Sequence, residues 1–156
     1  IPDIIITGKG LGGGMPIGAF IASFEIMNCL KENPKLGHIT TFGGHPVIAS
    51  AGLATVKEIT ESNLIEETLR KEKMIRDKFK NHSAVKEIRG RGLMLALLVE
   101  SPEIASKIIL NCLEKGLILF WLLFEGSAIR ITPPLTISDK EINEGCDLII
   151  AELDKL

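Results

Sequence analysis

The stretch PDIIITGKGLGGGMPIGAF, Pro2 to Phe20, does most to limit what this chain can become. Ile4-Ile5-Ile6-Thr7 is a β-branched run without polar alternation, which predicts a parallel strand buried on both faces. The run stops at Gly8, and Lys9 then stands as the one cation in a glycine-rich connection. Two chemistries suit such a lysine. It can belong to a loop that cradles a phosphate, or its amine can anchor the aldehyde of a cofactor. A surface lysine in a flexible loop is the plain alternative, because lysine is most often exposed.

The phosphate-loop pattern fails on order. That loop places lysine after its glycines and follows it with Ser or Thr, whereas Lys9 precedes most of the glycines and is followed by Gly10. A dinucleotide pattern can be forced onto Gly8-x-Gly10-x-x-Gly13, yet Gly14-Met15-Pro16 stands where its helix should begin. The amine reading fits the chemistry better. A wall of apolar groups and glycines disfavours the ammonium form and lowers a lysine pKa. A position just past the carboxyl end of a strand is where α/β sheets bind ligands, and glycines let backbone approach a flat ring.

Composition removes several other functions. The 156 residues are 46% hydrophobic and 24% charged, enough for a globular chain with a real core. A net charge of -2, a single Trp and no Tyr offer nucleic acid neither a basic surface nor stacking platforms. The longest apolar run, Leu117 to Phe124, is far too short to span a membrane. Cys29, Cys112 and Cys146 match neither a disulfide framework nor a zinc site, and His38, His45 and His82 add no metal-ligand spacing. These features predict a cytoplasmic protein with reduced thiols, no metal, and no nucleic-acid or membrane partner. The chain opens at Ile1 without Met, and Ile4 to Thr7 already reads as a buried strand that needs neighbours from elsewhere, so we expect the C-terminal part of a longer protein.

Further along, Ile17 to Ser23 reads as a strand and Phe24 to Leu30 as a short helix. Pro46 marks the first turn of a long helix reaching about Thr60. A second helix starts near Asn63, with Glu66 as its capping partner, and runs to about Lys80. Val85 to Ile88 and Leu93 to Glu100 read as strands around the turn Arg89-Gly90-Arg91-Gly92, with Leu93 to Val99 in the core. Ser101-Pro102-Glu103 opens the next helix and Gly116 closes it. Leu117 to Leu122 and Ala128 to Thr132 are strands, Pro133-Pro134 stops the second, and Ser138 with Glu141 boxes the last helix. The expected organisation is residues 1–60 as a piece of an α/β layer with a linking helix, then 61–156 as a compact α+β unit.

PDIIITGKGLGGGMPIGA, then HITTFGGHPVIASAGLATV, and later AIRITPPLTIS resemble the class III aminotransferases of the ornithine, acetylornithine and 4-aminobutyrate type. The blocks occur in the family's order, and the resemblance covers essentially the whole chain. It implies the aspartate-aminotransferase type of PLP-dependent transferase fold, here the end of the large domain plus the small C-terminal α+β domain. The implied cofactor is pyridoxal 5'-phosphate, with Lys9 forming the Schiff base and moving the proton during transamination. The implied reaction carries an amino group from an amino acid, the terminal amine of an ornithine- or lysine-like donor being one such source, to a 2-oxo acid such as 2-oxoglutarate.

By the same resemblance, Thr41 gives its hydroxyl to the cofactor phosphate of a neighbouring subunit, which implies a homodimer. Arg130 stands near the substrate, gripping a carboxylate of the substrate or pairing with an active-site glutamate; from the residues alone, a salt bridge between domains is the competing role. His45 replaces the family's usual asparagine and is expected to cap the helix at Pro46. The Gly-Arg-Gly turn is expected to be structural. The family's aspartate for the pyridine nitrogen, its phosphate loop and its ring-stacking aromatic precede the lysine segment, so this fragment alone is expected to be inactive. An aminomutase or a decarboxylase of the same fold, or a non-catalytic remnant, are the alternative readings.

Overall fold

The computed structural model describes residues 1–156, which divide into two compact units, Ile1–Ser62 and Asn63–Leu156. In the first unit, β1 (Ile4–Gly8) runs antiparallel to β2 (Gly18–Ala22) as a two-stranded sheet. This corrects the expected parallel strand. A parallel partner needs a crossover of about a dozen residues or more, and the Lys9–Ile17 connection is too short for one. Nor is β1 buried on both faces: Ile6 is 80% exposed, since a pair of strands has little of its own to cover it.

The connection is a 3-10 turn, Lys9–Gly12, where no helix was expected. Lys9 takes φ +50°, in the left-handed region, which costs a residue with a Cβ about 1–2 kcal/mol. α1 (Phe24–Asn28) follows with Ser23 as its cap, and the long α2 (Pro46–Glu61) begins with Pro46 in its first turn. His45 occupies the cap position of α2, but its side chain makes no capping bond. α2 lies close against the glycine loop. Gly13 has φ +55°, and a Cβ there would run into Thr55 Oγ1 on α2.

The second unit is an antiparallel sheet in the order β3-β4-β6-β5, formed by Glu87–Arg91, Met94–Leu98, Glu125–Ile131 and Phe120–Leu122. Helices α3 (Leu64–Phe79), α4 (Pro102–Glu114) and α5 (Asp139–Leu153) pack against it and each other. α3 is mostly charged and buries a narrow stripe, Lys71, Ile75 and Phe79, at the four-residue spacing of one helix face. That stripe meets Leu95, Leu97, Ile108, Ile129 and Ile149 in the main core. α4 starts on Ser101 and Pro102, and α5 carries the capping box of Ser138 with Glu141. Asn63, by contrast, makes no capping bond. Its φ of -87° and ψ of 12° lie outside the extended region from which a cap side chain reaches back.

The β3–β4 hairpin also turns later than expected. β3 runs through Arg89-Gly90-Arg91, and the reversal falls at Gly92-Leu93. Gly90 has φ +110°, and a Cβ there would collide with the Met94 carbonyl. Arg76 on α3 secures this strand, donating to the carbonyls of Ile88 at 2.8 Å and Gly90 at 2.7 Å. Glu72 accepts from Arg76 Nε at 2.7 Å and from the Gly92 N–H at 2.5 Å, so one ion pair ties helix, strand and turn together. Met94, expected in the core, is 74% exposed on the opposite sheet face, where Ala96, Leu98 and Ala128 form a small second cluster. No helix is long and apolar enough to cross a membrane.

Two polar groups are buried within the second unit. Lys71 donates to the Leu135 carbonyl at 2.8 Å, fixing the segment after Pro133-Pro134. Glu152 is 2% exposed and accepts from Lys115, from Lys155 at 2.5 Å and from Asn111 at 2.9 Å. Lys115 first, then Lys155 and Asn111, hold its carboxyl down from 4.5 to about 2. A depressed carboxyl stabilises the fold fully above its ordinary pKa and loses that contribution as pH falls through the folded value. Glu152→Gln should therefore lower Tm at neutral pH, and the gap to the native protein should close as pH falls from 4.5 toward 2. Thermal melts across that range check it; a gap independent of pH would contradict the assignment.

The left-handed Lys9 makes a second prediction. Lys9→Gly relieves about 1–2 kcal/mol of backbone strain, against roughly 0.5–1 kcal/mol of added chain freedom in the unfolded state. Its Tm should be no lower than native, whereas Lys9→Val, with a branched Cβ, should melt earlier. A clear loss of stability in Lys9→Gly would show that this backbone is not strained.

Candidate functional site

In the first unit, β1 delivers Lys9 at its carboxyl end, and the left-handed turn at that residue carries the chain into the glycine loop. The side chain is exposed, and no ion pair or hydrogen bond engages its amine. It lines an open hollow of about 600 Å³ with Gly14, Met15, Pro16, Ile17 and Gly18. The lysine is therefore not one half of a surface salt bridge. It is a free amine held beside loop backbone.

Thr41 lies in the turn that precedes α2. Gly43 N–H donates to the Thr40 carbonyl at 3.3 Å, and His45 N–H to the Phe42 carbonyl at 3.2 Å. Thr41 and His45 line a second hollow of about 320 Å³. Pro16, Ile17 and Gly18 line both hollows, so the Lys9 loop and the Thr41 turn border a common stretch of backbone. The Thr41 hydroxyl is engaged by no other group of the chain, which leaves it able to donate to an anion.

Arg130 belongs to the second unit. It is exposed near the end of β6 and forms no ion pair with the carboxylates of its own unit. Its guanidinium carbon instead sits 4.8 Å from the centre of the Phe120 ring. Arg130 also contributes to a mostly aliphatic hollow of about 390 Å³ that includes Ile131, Pro133, Ile142 and Ile149. Phe120 escaped the sequence reading, because the contact depends on cross-strand register. The only local signal was an aromatic on the strand preceding Arg130.

The two other arginines singled out in the sequence differ from Arg130. Arg89 is paired with Glu87 at 2.8 Å and lies 3.9 Å from Glu125, and these contacts raise its already high pKa. Arg91 ends β3 opposite Met94. Both have positions that a hairpin alone accounts for.

Comparison with known proteins identifies the family. The family model "Aminotransferase class-III" matches residues 1–153. An acetylornithine aminotransferase of Caldanaerobacter subterraneus subsp. tengcongensis is 40% identical over 154 residues, covering 96% of this chain and 37% of that protein. Among solved structures, the acetylornithine aminotransferase of Elizabethkingia anophelis superposes with a TM-score of 0.86 at 29% identity, over 100% of this chain and 42% of that one. An ornithine aminotransferase of Toxoplasma gondii, described with partial occupancy of PLP at its active site, gives a TM-score of 0.84 at 28% identity, over 97% and 36%. This chain thus spans only some two fifths of its relatives' length. It has the PLP-dependent transferase fold over the part it covers. The chain belongs to the class III aminotransferases, a family that works with pyridoxal 5'-phosphate.

Proposed function

We propose that this chain is the lysine- and arginine-bearing part of an aminotransferase that moves an amino group from an amino acid to a 2-oxo acid. The observation that carries the reading is Lys9: a free amine, held left-handed at the carboxyl end of β1, on a loop open to a ligand. The residues present fit pyridoxal phosphate. At Gly10 and Gly14 even an added Cβ would meet nothing within 4 Å, so a flat ring can approach the loop backbone.

Lys9 Nζ would hold the cofactor aldehyde, and Thr41 Oγ1 would donate to the phosphate, with loop N–H groups beside it. When bound, the cofactor supplies the electron sink that makes a C–H bond beside the substrate amine labile. Released when the substrate amine takes its place, Lys9 Nζ would be the base that takes that proton from the substrate carbon and later gives it up. Arg130 would grip a carboxylate through two parallel N–H donors, which a guanidinium presents and an ammonium does not. The acetylornithine and ornithine aminotransferase relatives support an ornithine-like amino donor, and the acceptor we propose is 2-oxoglutarate.

We further propose a homodimer in which Thr41 serves the partner subunit's phosphate. The exposed apolar side chains of the first unit, Ile6, Phe24 and Phe42 among them, support its being covered by more polypeptide in the working protein. A cytoplasmic setting agrees with the three unpaired thiols. The ring-nitrogen partner and most of the phosphate's donors would come from polypeptide outside this chain, so the fragment alone should be inactive.

The test is amino transfer by the complete protein with Arg130→Lys. The variant keeps the charge and loses the fork. Losing a charge-assisted hydrogen bond should lower kcat/KM roughly ten- to a hundredfold for 2-oxoglutarate. The loss should be much smaller for an analogue lacking the contacted carboxylate. Equal losses with both substrates would mean that Arg130 does not bind a carboxylate.

A further inference from the structure

Four residues stand in one cross-strand row on the face of the second sheet away from its main core. Arg89 on β3 is the register partner of Ala96 on β4, Ala96 that of Arg130 on β6, and Arg130 that of Phe120 on β5. The two arginines of the row are treated differently. Arg89 is matched by carboxylates, Glu87 at 2.8 Å and Glu125 at 3.9 Å. Arg130 is matched by an aromatic ring, 4.8 Å from its guanidinium carbon, and by no carboxylate. Ala96, between them, is too small to reach either head group.

The ring that faces Arg130 is itself held. Phe120 meets Trp121 edge to face, with centroids 5.9 Å apart and planes at 75°. Trp121 in turn donates its indole N–H to Ser106 Oγ on α4 at 3.0 Å. A helix side chain therefore fixes an indole, the indole restrains a phenyl ring, and the ring lies against the arginine. A guanidinium lying over a ring face meets it through its charge and spends no N–H group on it, so two of them remain for a planar carboxylate to accept from. A carboxylate opposite Arg130 would have held the arginine too, but it would have occupied those donors.

We propose that Phe120 is a positioning residue for Arg130: it sets the plane of the guanidinium and keeps its paired donors free for the carboxylate of an amino- or oxo-acid substrate. This rests on Arg130 being the carboxylate grip proposed above. The relation is mutual, since the cation also gives the half-exposed ring a partner that water does not offer. Phe120 itself touches no substrate in this account. It acts through the side chain it orients.

The experiment measures binding of glutarate, an inert dicarboxylate, to the complete protein by calorimetry, beside KM and kcat for 2-oxoglutarate. Phe120→Ala should weaken glutarate binding and raise KM by roughly two- to fivefold, the worth of an exposed cation–π contact, with kcat little changed. Phe120→Leu keeps apolar bulk on the strand without a ring face, and should fall with Phe120→Ala. Phe120→Tyr keeps the face, and should bind as the native protein does. Native affinity in Phe120→Ala and Phe120→Leu, or a loss in Phe120→Tyr equal to theirs, would overturn the positioning role. Arg130→Lys separates the two ideas. If it binds glutarate as tightly as the native protein, the carboxylate grip itself fails; if it loses affinity while Phe120→Ala does not, only the positioning role fails.

Discussion

The close approach of α2 to the glycine loop is the constraint from which the lysine site follows. A Cβ at Gly12 would come within 2.9 Å of Ile17 Cγ2, and one at Gly13 would strike Thr55. Helix and loop, with the Ile17 side chain that follows it, can lie this near one another only because those positions carry no side chain. In the loop packed this way, Lys9 has left-handed backbone. Strain of this kind persists only where the surroundings over-determine it, and it collects at functional sites. In this chain two residues with side chains take it, Leu36 and Lys9, and Lys9 is the one with an amine.

The second unit solves a different problem, presenting a cation on a sheet without neutralising it. Its rigidity comes from the helix side, where Glu72 and Arg76 bind the β3–β4 hairpin, and Glu152 gathers Lys115, Lys155 and Asn111. The opposite sheet face is left with small apolar residues and the row from Arg89 to Phe120. Placing acids beside Arg89 and an aromatic beside Arg130 gives two like side chains unlike availability. Fold stability and the carboxylate grip we propose thus draw on opposite faces of one sheet.

Features specified by a few neighbouring residues were legible in the sequence. Pro46 in the first turn of α2, Ser101-Pro102 before α4 and the Ser138–Glu141 box of α5 all stand where local cap chemistry puts them. The lysine after a β-branched run was legible for the same reason. Features that depend on distant partners were not. The direction of β1 depends on which strand comes to pair with it, and an isoleucine run reads alike in either case. Asn63 has the right side chain for a cap but the wrong backbone angles. Arg89-Gly90-Arg91 looked like a turn because of its glycine, yet Gly90 is there for a close pass of the Met94 carbonyl. Family resemblance named Arg130, while its ring partner emerged only from the register of β5 on β6.

The central claim is that Lys9 is the amine that holds the cofactor. The most direct measurement is borohydride reduction of the complete protein loaded with pyridoxal phosphate, followed by peptide mapping by mass spectrometry. The account predicts a reduced pyridoxyl group on the peptide that carries Lys9 and on no other lysine. A label on Lys31 or Lys35, or none on the Lys9 peptide of a protein that retains the cofactor, would contradict it.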